Sequence, residues 1–198
     1  MPCNHKFEND LGLEKLDFDP VTLIVGTFNP ALLDSNPSEW FYGRPGNYFW
    51  DVLPRIYGAP SLLGATPAEW KQFCRDHKIA LTDLISCIED ADTANPEHNK
   101  ILAGFSDNAI VYNFDDFVYV DVVGLLRSHP TIRNVYLTRG ITEAFWRHLW
   151  NPVMHYCDVH KLHERKLLTP SGTDFYQQTP GTPPHDHVFI KWQQEWHG

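Results

Sequence analysis

Apolar positions fall into short blocks along this chain, each closed by glycine, proline or an acidic residue. Val21-Thr22-Leu23-Ile24-Val25-Gly26 is β-branched, continuous and ended by glycine. That pattern predicts a strand buried on both faces, as in a parallel sheet. Ile79–Ile85, Ala109–Asn113 and Asn134–Thr138 read the same way, and Tyr156–Leu168 contains a fifth strand. Between these blocks the period lengthens to that of a helix. Phe49, Trp50, Leu53, Ile56 and Tyr57 form one stripe, ended near Gly58-Ala59-Pro60. Thr66-Pro67-Ala68-Glu69 has the composition of a helix start, with a threonine cap, proline at the first position and glutamate at the third. Further helices are predicted over Val122–Ser128, closed by His129-Pro130, over Ile141–Trp150 and over His187–Trp196.

Strands alternating with helices predict an α/β protein. The expected form is a three-layer α/β/α sandwich on a short, mainly parallel sheet of four to five strands. Residues 1–198 read as one domain, with 1–20 as an N-terminal extension and 173–186 as a mobile insertion rich in Gln, Thr and Pro. Ligands of such folds bind beyond the C-terminal ends of the strands. That rule selects the loops at 26–47, 82–87 and 169–173. The first is long, and it carries Pro30, Pro37 and Pro45 without a clean period.

Composition narrows the picture. Hydrophobic residues make up 42% and charged residues 21%, which is ordinary for a globular chain. Aromatics reach 14%, with seven Trp, more than a core of this size requires, so some rings are expected at a site. No apolar run approaches the roughly 20 residues of a membrane helix, and the first residues lack a signal-peptide core. The expectation is a cytoplasmic, monomeric protein. Cys3, Cys74, Cys87 and Cys157 show no C-x-x-C spacing and read as reduced structural thiols. The net charge of −9 argues against a general nucleic-acid coat protein, but it is uneven. Residues 1–126 carry 8 Lys/Arg against 19 Asp/Glu, and residues 127–198 carry 8 against 6 with 8 of the 11 His. A polyanion would meet the C-terminal third more readily. His155, His160, His163, His185 and His187 could be read as metal ligands, but they lack a helical ligand spacing, so neither metal nor organic cofactor is expected.

The densest chemistry is in Phe41-Tyr42-Gly43-Arg44-Pro45-Gly46-Asn47-Tyr48-Phe49-Trp50. Aromatic faces, a Pro-Gly turn and an amide in one segment suit a pocket for a flat, neutral heterocycle. Taken in order, the motifs are Gly26-Thr27-Phe28-Asn29-Pro30, then Pro45-Gly46-Asn47-x-Phe49-Trp50, then Thr82-Asp83-Leu84-Ile85. They are followed by Leu125-Leu126-x-x-His129-Pro130, Pro170-Ser171, and Lys191-Trp192 with Trp196. This order resembles the uracil-DNA glycosylase superfamily over roughly residues 21–196, nearest its mismatch-specific uracil and hypoxanthine branches. The resemblance implies an enzyme without cofactor that flips a deaminated base out of DNA and hydrolyses its N-glycosidic bond. The alternative is a non-catalytic relative that binds DNA, nucleotide or a protein partner through the same cleft.

The resemblance also implies roles. Two asparagines compete for the water-orienting position. Asn29 matches the mismatch-specific branch with one extra residue after Gly26, and Asn47 matches the hypoxanthine branch but is also a natural helix cap. Gly26, Thr27, Phe28, Pro30, Tyr42, Gly43 and Asp83 would surround the base, with Phe28 and Tyr42 as stacking rings. Arg44, Arg139 and the loop Pro170-Ser171-Gly172 would meet DNA phosphates.

Overall fold

The computed structural model describes residues 1–32, 34–171 and 181–197. In chain order its elements are β1 (Cys3–Asn4), α1 (Glu8–Leu11), β2 (Thr22–Gly26), α2 (Phe49–Ile56) and α3 (Pro67–Asp76). Next come β3 (Ile79–Asp83), β4 (Ile85–Ile88), α4 (Pro96–Ala103), α5 (Asp107–Asn113) and β5 (Phe117–Tyr119). The remainder are α6 (Val122–Ser128), β6 (Asn134–Leu137), α7 (Ala144–His160), β7 (His163–Lys166) and α8 (Pro184–Glu195). No described helix is long and apolar enough to cross a membrane.

Four strands form a parallel sheet in the order β3-β2-β6-β7, and β1-β4-β5 form a small antiparallel sheet beside it. The continuous apolar blocks follow from this arrangement. Side chains alternate across a strand, and helices cover both faces of the parallel sheet. Leu23 and Val25 of β2 and Val135 and Leu137 of β6 therefore enter a cluster with Trp146 and Trp150 of α7. Ile24 and Tyr136 enter the opposite cluster, with Trp50 of α2 and Trp192 of α8. Most of the tryptophans are thus core: Trp50, Trp146, Trp150 and Trp192 are at most 1% exposed.

The helix-start signature at Thr66 is a full capping box: Glu69 N–H donates to the Thr66 hydroxyl, and Thr66 N–H donates to Glu69 Oε2 at 2.8 Å. Several expectations are corrected. Ala109–Asn113 is not a strand but most of α5, whose N-cap Ser106 accepts from Ala109 N–H. The block has one fully buried apolar residue, Ile110, and Tyr112 is 89% exposed, so it packs as a helix touching the core on one side. The α7 helix starts three residues later than expected and runs ten residues further, to His160, with Pro152 inside it. The apolar run after β3 bends at Leu84 into β4, which belongs to the other sheet.

The N-terminal residues are packed rather than peripheral. Cys3 and Asn4 pair with β4, and Leu11 and Leu13 lie in the two core clusters. Of the expected insertion at 173–186, residues 173–180 lie outside the described residues, and α8 begins at Pro184.

Candidate active site

The ends of β2, β3 and β6 lie side by side, and the segments leaving them enclose a cavity of about 100 Å3. Gly26 closes β2 directly opposite Asp83, the last residue of β3. A methyl group on Gly26 would collide with Asp83 Oδ1 and would lie 2.7 Å from Tyr42 Oη. Glycine is required here because two polar side chains occupy the space above the strand end.

Asp83 is 5% exposed, and His5, 78 residues earlier in sequence, holds it. The ring of His5 is fully buried, with Nε2 2.7 Å from Asp83 Oδ2. Its other nitrogen accepts a 3.0 Å hydrogen bond from Phe7 N–H. A nitrogen that accepts carries no proton, so the imidazole proton is on Nε2 and is donated to Asp83. The ring is also wedged between Phe7, Phe28 and Phe41 at 5.6–5.9 Å. One carboxylate oxygen is thereby fixed, and the other faces the cavity.

Tyr42 stacks face to face on Phe49, with ring centroids 3.9 Å apart and planes within 4°. Its backbone is left-handed, with φ +59°, which turns the chain sharply before Gly43. Tyr42 Oη is 3.0 Å from Thr138 Oγ1, just past the end of β6. Burial, reinforced by the Asp83 carboxylate, pushes the phenol pKa well above its ordinary value.

The two asparagines are both engaged. Asn47 Oδ1 accepts from Phe49 N–H at 2.9 Å, but the N-cap of α2 is Tyr48, so Asn47 stands one residue before the cap position expected of it. Asn47 can then offer a ligand its amide N–H groups. Asn29 Oδ1 accepts from Asn36 Nδ2, and Asn36 in turn donates to Pro30 O and accepts from Ser38 N–H. This relay fixes the Asn29 amide while leaving its oxygen a second lone pair.

The Pro170-Ser171 loop closes the opposite wall. Ser171 and Asn47 face each other in an antiparallel bridge, and Tyr48 N–H donates to Pro170 O at 2.8 Å. Two segments more than 120 residues apart thus become one wall. The expected residues Gly26, Thr27, Phe28 and Asn29 line the cavity, as do Tyr42, Arg44, Asn47 and Asp83, and Pro170 with Ser171. Three others lie elsewhere. Gly43 packs against the Trp70 ring, Pro30 pairs with His5 behind the wall, and Arg139 lies in an adjoining groove of about 530 Å3. Gly172 lies outside the described residues.

Arg139 is committed within the protein. It binds Asp107 at 2.7 Å and Glu143 at 3.2 Å, and it lies 4.0 Å over the Trp146 ring. Burial lowers its pKa, and the two carboxylates oppose that shift. Arg44 lies at the cavity mouth, 4.0 Å over the Phe105 ring, and burial lowers its pKa as well. Sequence reasoning missed His5, Ser38, Phe105, Asp107 and Thr138. Asp107 accepts from the Thr27 hydroxyl at 2.7 Å and from Arg139, tying the first loop to α5. The pair Ser106-Asp107, a cap followed by an acidic first turn, was a legible helix signal. Nothing in the sequence joined His5 to Asp83.

No family model matches this chain, and neither does any curated protein. A solution NMR structure from Methanosarcina acetivorans, described as a "putative Uracil DNA glycosylase", does match. The TM-score is 0.55 with 16% sequence identity, over 92% of this chain and 94% of that one. At that identity the likeness is one of architecture: this chain shares that protein's α/β fold along nearly its whole length.

Proposed function

We propose that this protein is a monofunctional DNA glycosylase that takes a deaminated base, uracil or hypoxanthine, out of the stack and hydrolyses its N-glycosidic bond. The observation that carries the reading is the joining of Asn47 to Ser171 across a cavity at the strand ends. The bridge brings the Asn47 amide and the Ser171 loop to one opening, which supports the reading because a flipped nucleotide needs contacts to base and backbone together. The base enters between Phe28 and the Tyr42–Phe49 stack. Asn29, oriented by Asn36, holds the attacking water through its free lone pair. Asn47 donates its amide N–H to a base carbonyl and helps to stabilise charge on the departing base. Arg44 and the Ser171 hydroxyl meet the phosphates flanking the flipped nucleotide.

The test is a panel of oligonucleotides carrying uracil or hypoxanthine, paired, mismatched and single-stranded, with alkaline cleavage at abasic sites. Asn29→Ala should lower the single-turnover rate by about 10²–10⁴-fold. Asn47→Ala should lower it by about 10²–10³-fold. Equal rates for wild type and both variants would defeat these assignments.

One observation favours a second reading, a cleft that binds without catalysis. Asp107 and Glu143 border the groove beside the cavity and neutralise Arg139, which weakens the pull on a phosphate backbone. DNA affinity falling steeply between 50 and 200 mM salt favours the glycosylase. A flat salt response without base release favours the binder.

A further inference from the structure

The small antiparallel sheet has two edges, and the protein covers one of them. Beside β1, Ala31 N–H donates to Asn4 O, Lys6 N–H donates to Asn29 O and His5 pairs with Pro30, so the segment after β2 shields that side. The other edge is β5, the outermost strand in the order β1-β4-β5. Asp116 O accepts from Glu89 N–H at 2.8 Å, and Val120 N–H donates to Leu84 O at 3.0 Å. Between them, Val118 O accepts from the Ser86 hydroxyl at 3.1 Å. Residues 116, 118 and 120 therefore turn their backbone groups toward β4. Successive residues of an antiparallel strand alternate in this respect, so the N–H and C=O groups of Phe117 and Tyr119 point outward. One face of the strand rests on α7, where the Phe117 and Tyr119 rings lie 5.2 and 6.4 Å from that of Phe145. Val118 and Tyr119 are still 42% and 45% exposed. An open edge with exposed apolar side chains is a surface onto which another strand can add.

Charge defines the kind of strand. Glu89, Asp90, Asp115 and Asp116 are exposed and gather at one end of the β4–β5 pair, where Asp115 N–H donates to Asp90 Oδ2 at 2.9 Å. Asp121 is exposed just past the other end of β5. Among the described residues, no Lys, Arg or His forms an ion pair with any of these five carboxylates. Between Ile79 and Arg127 the chain carries nine Asp and Glu against a single Lys or Arg, Lys100. Such a surface repels a phosphate backbone and attracts Lys and Arg. A second copy of this chain does not match it. Two β5 strands paired antiparallel about Val118 would set Asp115 of each copy opposite Asp121 of the other, and like charges directly opposite destabilise a strand pair.

We propose that the β5 edge is a docking site for a basic, extended segment of a partner protein, which adds as a further strand beside Phe117–Tyr119. The segment exchanges backbone hydrogen bonds with the outward groups of Phe117 and Tyr119. Its apolar side chains cover Val118 on one face and Tyr119 on the other, and its Lys or Arg residues meet Asp115 and Asp116 at one end and Asp121 at the other. The backbone bonds hold the segment, and the carboxylates select its charge. None of these residues lines the strand-end cavity, so the site stands under either reading of what that cavity does. Tyr119→Pro is an informative substitution. Proline removes the outward N–H of residue 119 and none of the bonds to β4, and an edge strand tolerates it.

The experiment titrates the isotope-labelled protein with a synthetic seven-residue peptide of alternating Lys and Val, blocked at both ends, and follows the backbone amide resonances by NMR. One control peptide has Glu in place of Lys, and another has proline at its centre. The Lys–Val peptide should shift the Phe117, Val118 and Tyr119 amides and saturate, while both controls bind on the order of tenfold more weakly or not at all. Tyr119→Pro should weaken the Lys–Val peptide by about tenfold, the size of one lost hydrogen bond. Asp115→Lys with Asp116→Lys should weaken it by a similar factor and remove most of its salt dependence. Should Tyr119→Pro fail to fold by circular dichroism, the charge variant and a Lys–Val peptide methylated on alternate backbone nitrogens decide. Shifts that miss β5, equal binding of the Glu peptide, or an affinity that neither variant moves overturns the proposal. A dimer in sedimentation velocity that Tyr119→Pro dissociates would give the edge to a second copy of the chain and overturn it as well.

Discussion

Gly26 concentrates the local physics of the site in one residue. It ends a buried strand, and the space its missing side chain leaves is filled by Asp83 Oδ1 and Tyr42 Oη. Gly26→Ala forces one of those side chains off its rotamer or the strand end away from β3. Overpacking of this kind costs about 1–3 kcal/mol. Urea unfolding should show that loss, and oligonucleotide binding should fall with it. A variant with wild-type stability and affinity would mean that the strand end yields freely. The same residue scale separates the two asparagines. The sequence offered both as water-orienting groups. Their local bonds differ, since Asn47 accepts from Phe49 N–H where the chain enters α2 and Asn29 is gripped by Asn36.

At the scale of elements, α8 is the helix that links the core to the Pro170-Ser171 loop. Its Trp192 is fully buried against Phe49, and its indole N–H donates to Leu168 O at 2.8 Å, two residues before Pro170. Trp192→Phe removes that donor, leaves the Leu168 carbonyl unpaired and opens a small void. The combined cost is about 2–4 kcal/mol, from the unpaired group and the cavity. Amide exchange should accelerate at Tyr48, whose N–H is bound to Pro170 O, while the far strand β3 keeps its protection. Exchange unchanged at Tyr48 would show that the loop is held without α8. The α5 segment shows where element-level reading failed. Ala109–Asn113 has the apolar content of a strand, yet a single capping serine and one buried isoleucine decide for a helix.

At the scale of the molecule, the last described residues close over the outer strands. His163 of β7 packs against Tyr136 and His197, and its Nε2 lies 3.4 Å from Glu195 O. Burial, reinforced by His197 and Arg165, depresses its pKa below the usual 6.5. The unfolded chain then takes up a proton at a higher pH than the folded one does. This contribution to stability is complete above pH 6.5 and is lost as pH falls through the depressed folded value. The thermal midpoint should drop between pH 7.5 and pH 5.5, and His163→Gln should flatten that part of the curve. A wild-type curve that is flat there, or unchanged by His163→Gln, would assign the acid sensitivity elsewhere. The charge asymmetry seen in sequence belongs to this scale as well. Arg139 is counted among the basic C-terminal third but is spent on Asp107 and Glu143, so formal charge overstates what the surface offers a polyanion.

The α/β architecture was legible in the chain alone, because a continuous apolar strand is stable only when both of its faces are covered, and β2, β3 and β6 carry that signature. The long segment after β2 and much of the cavity wall were legible as well, since the glycines, prolines and amides that shape such a loop are local features; the expected loop at 82–87 is instead the end of β3 and most of β4, joined at Leu84. Which groups meet is fixed by the packing of distant segments. His5 reaches Asp83, Tyr42 reaches Thr138 and Asn47 reaches Ser171 across 78, 96 and 124 residues. No local pattern records a contact of that kind. A buried hydrogen bond constrains two distant side chains at once, and it becomes visible only when the strands that carry them are set side by side.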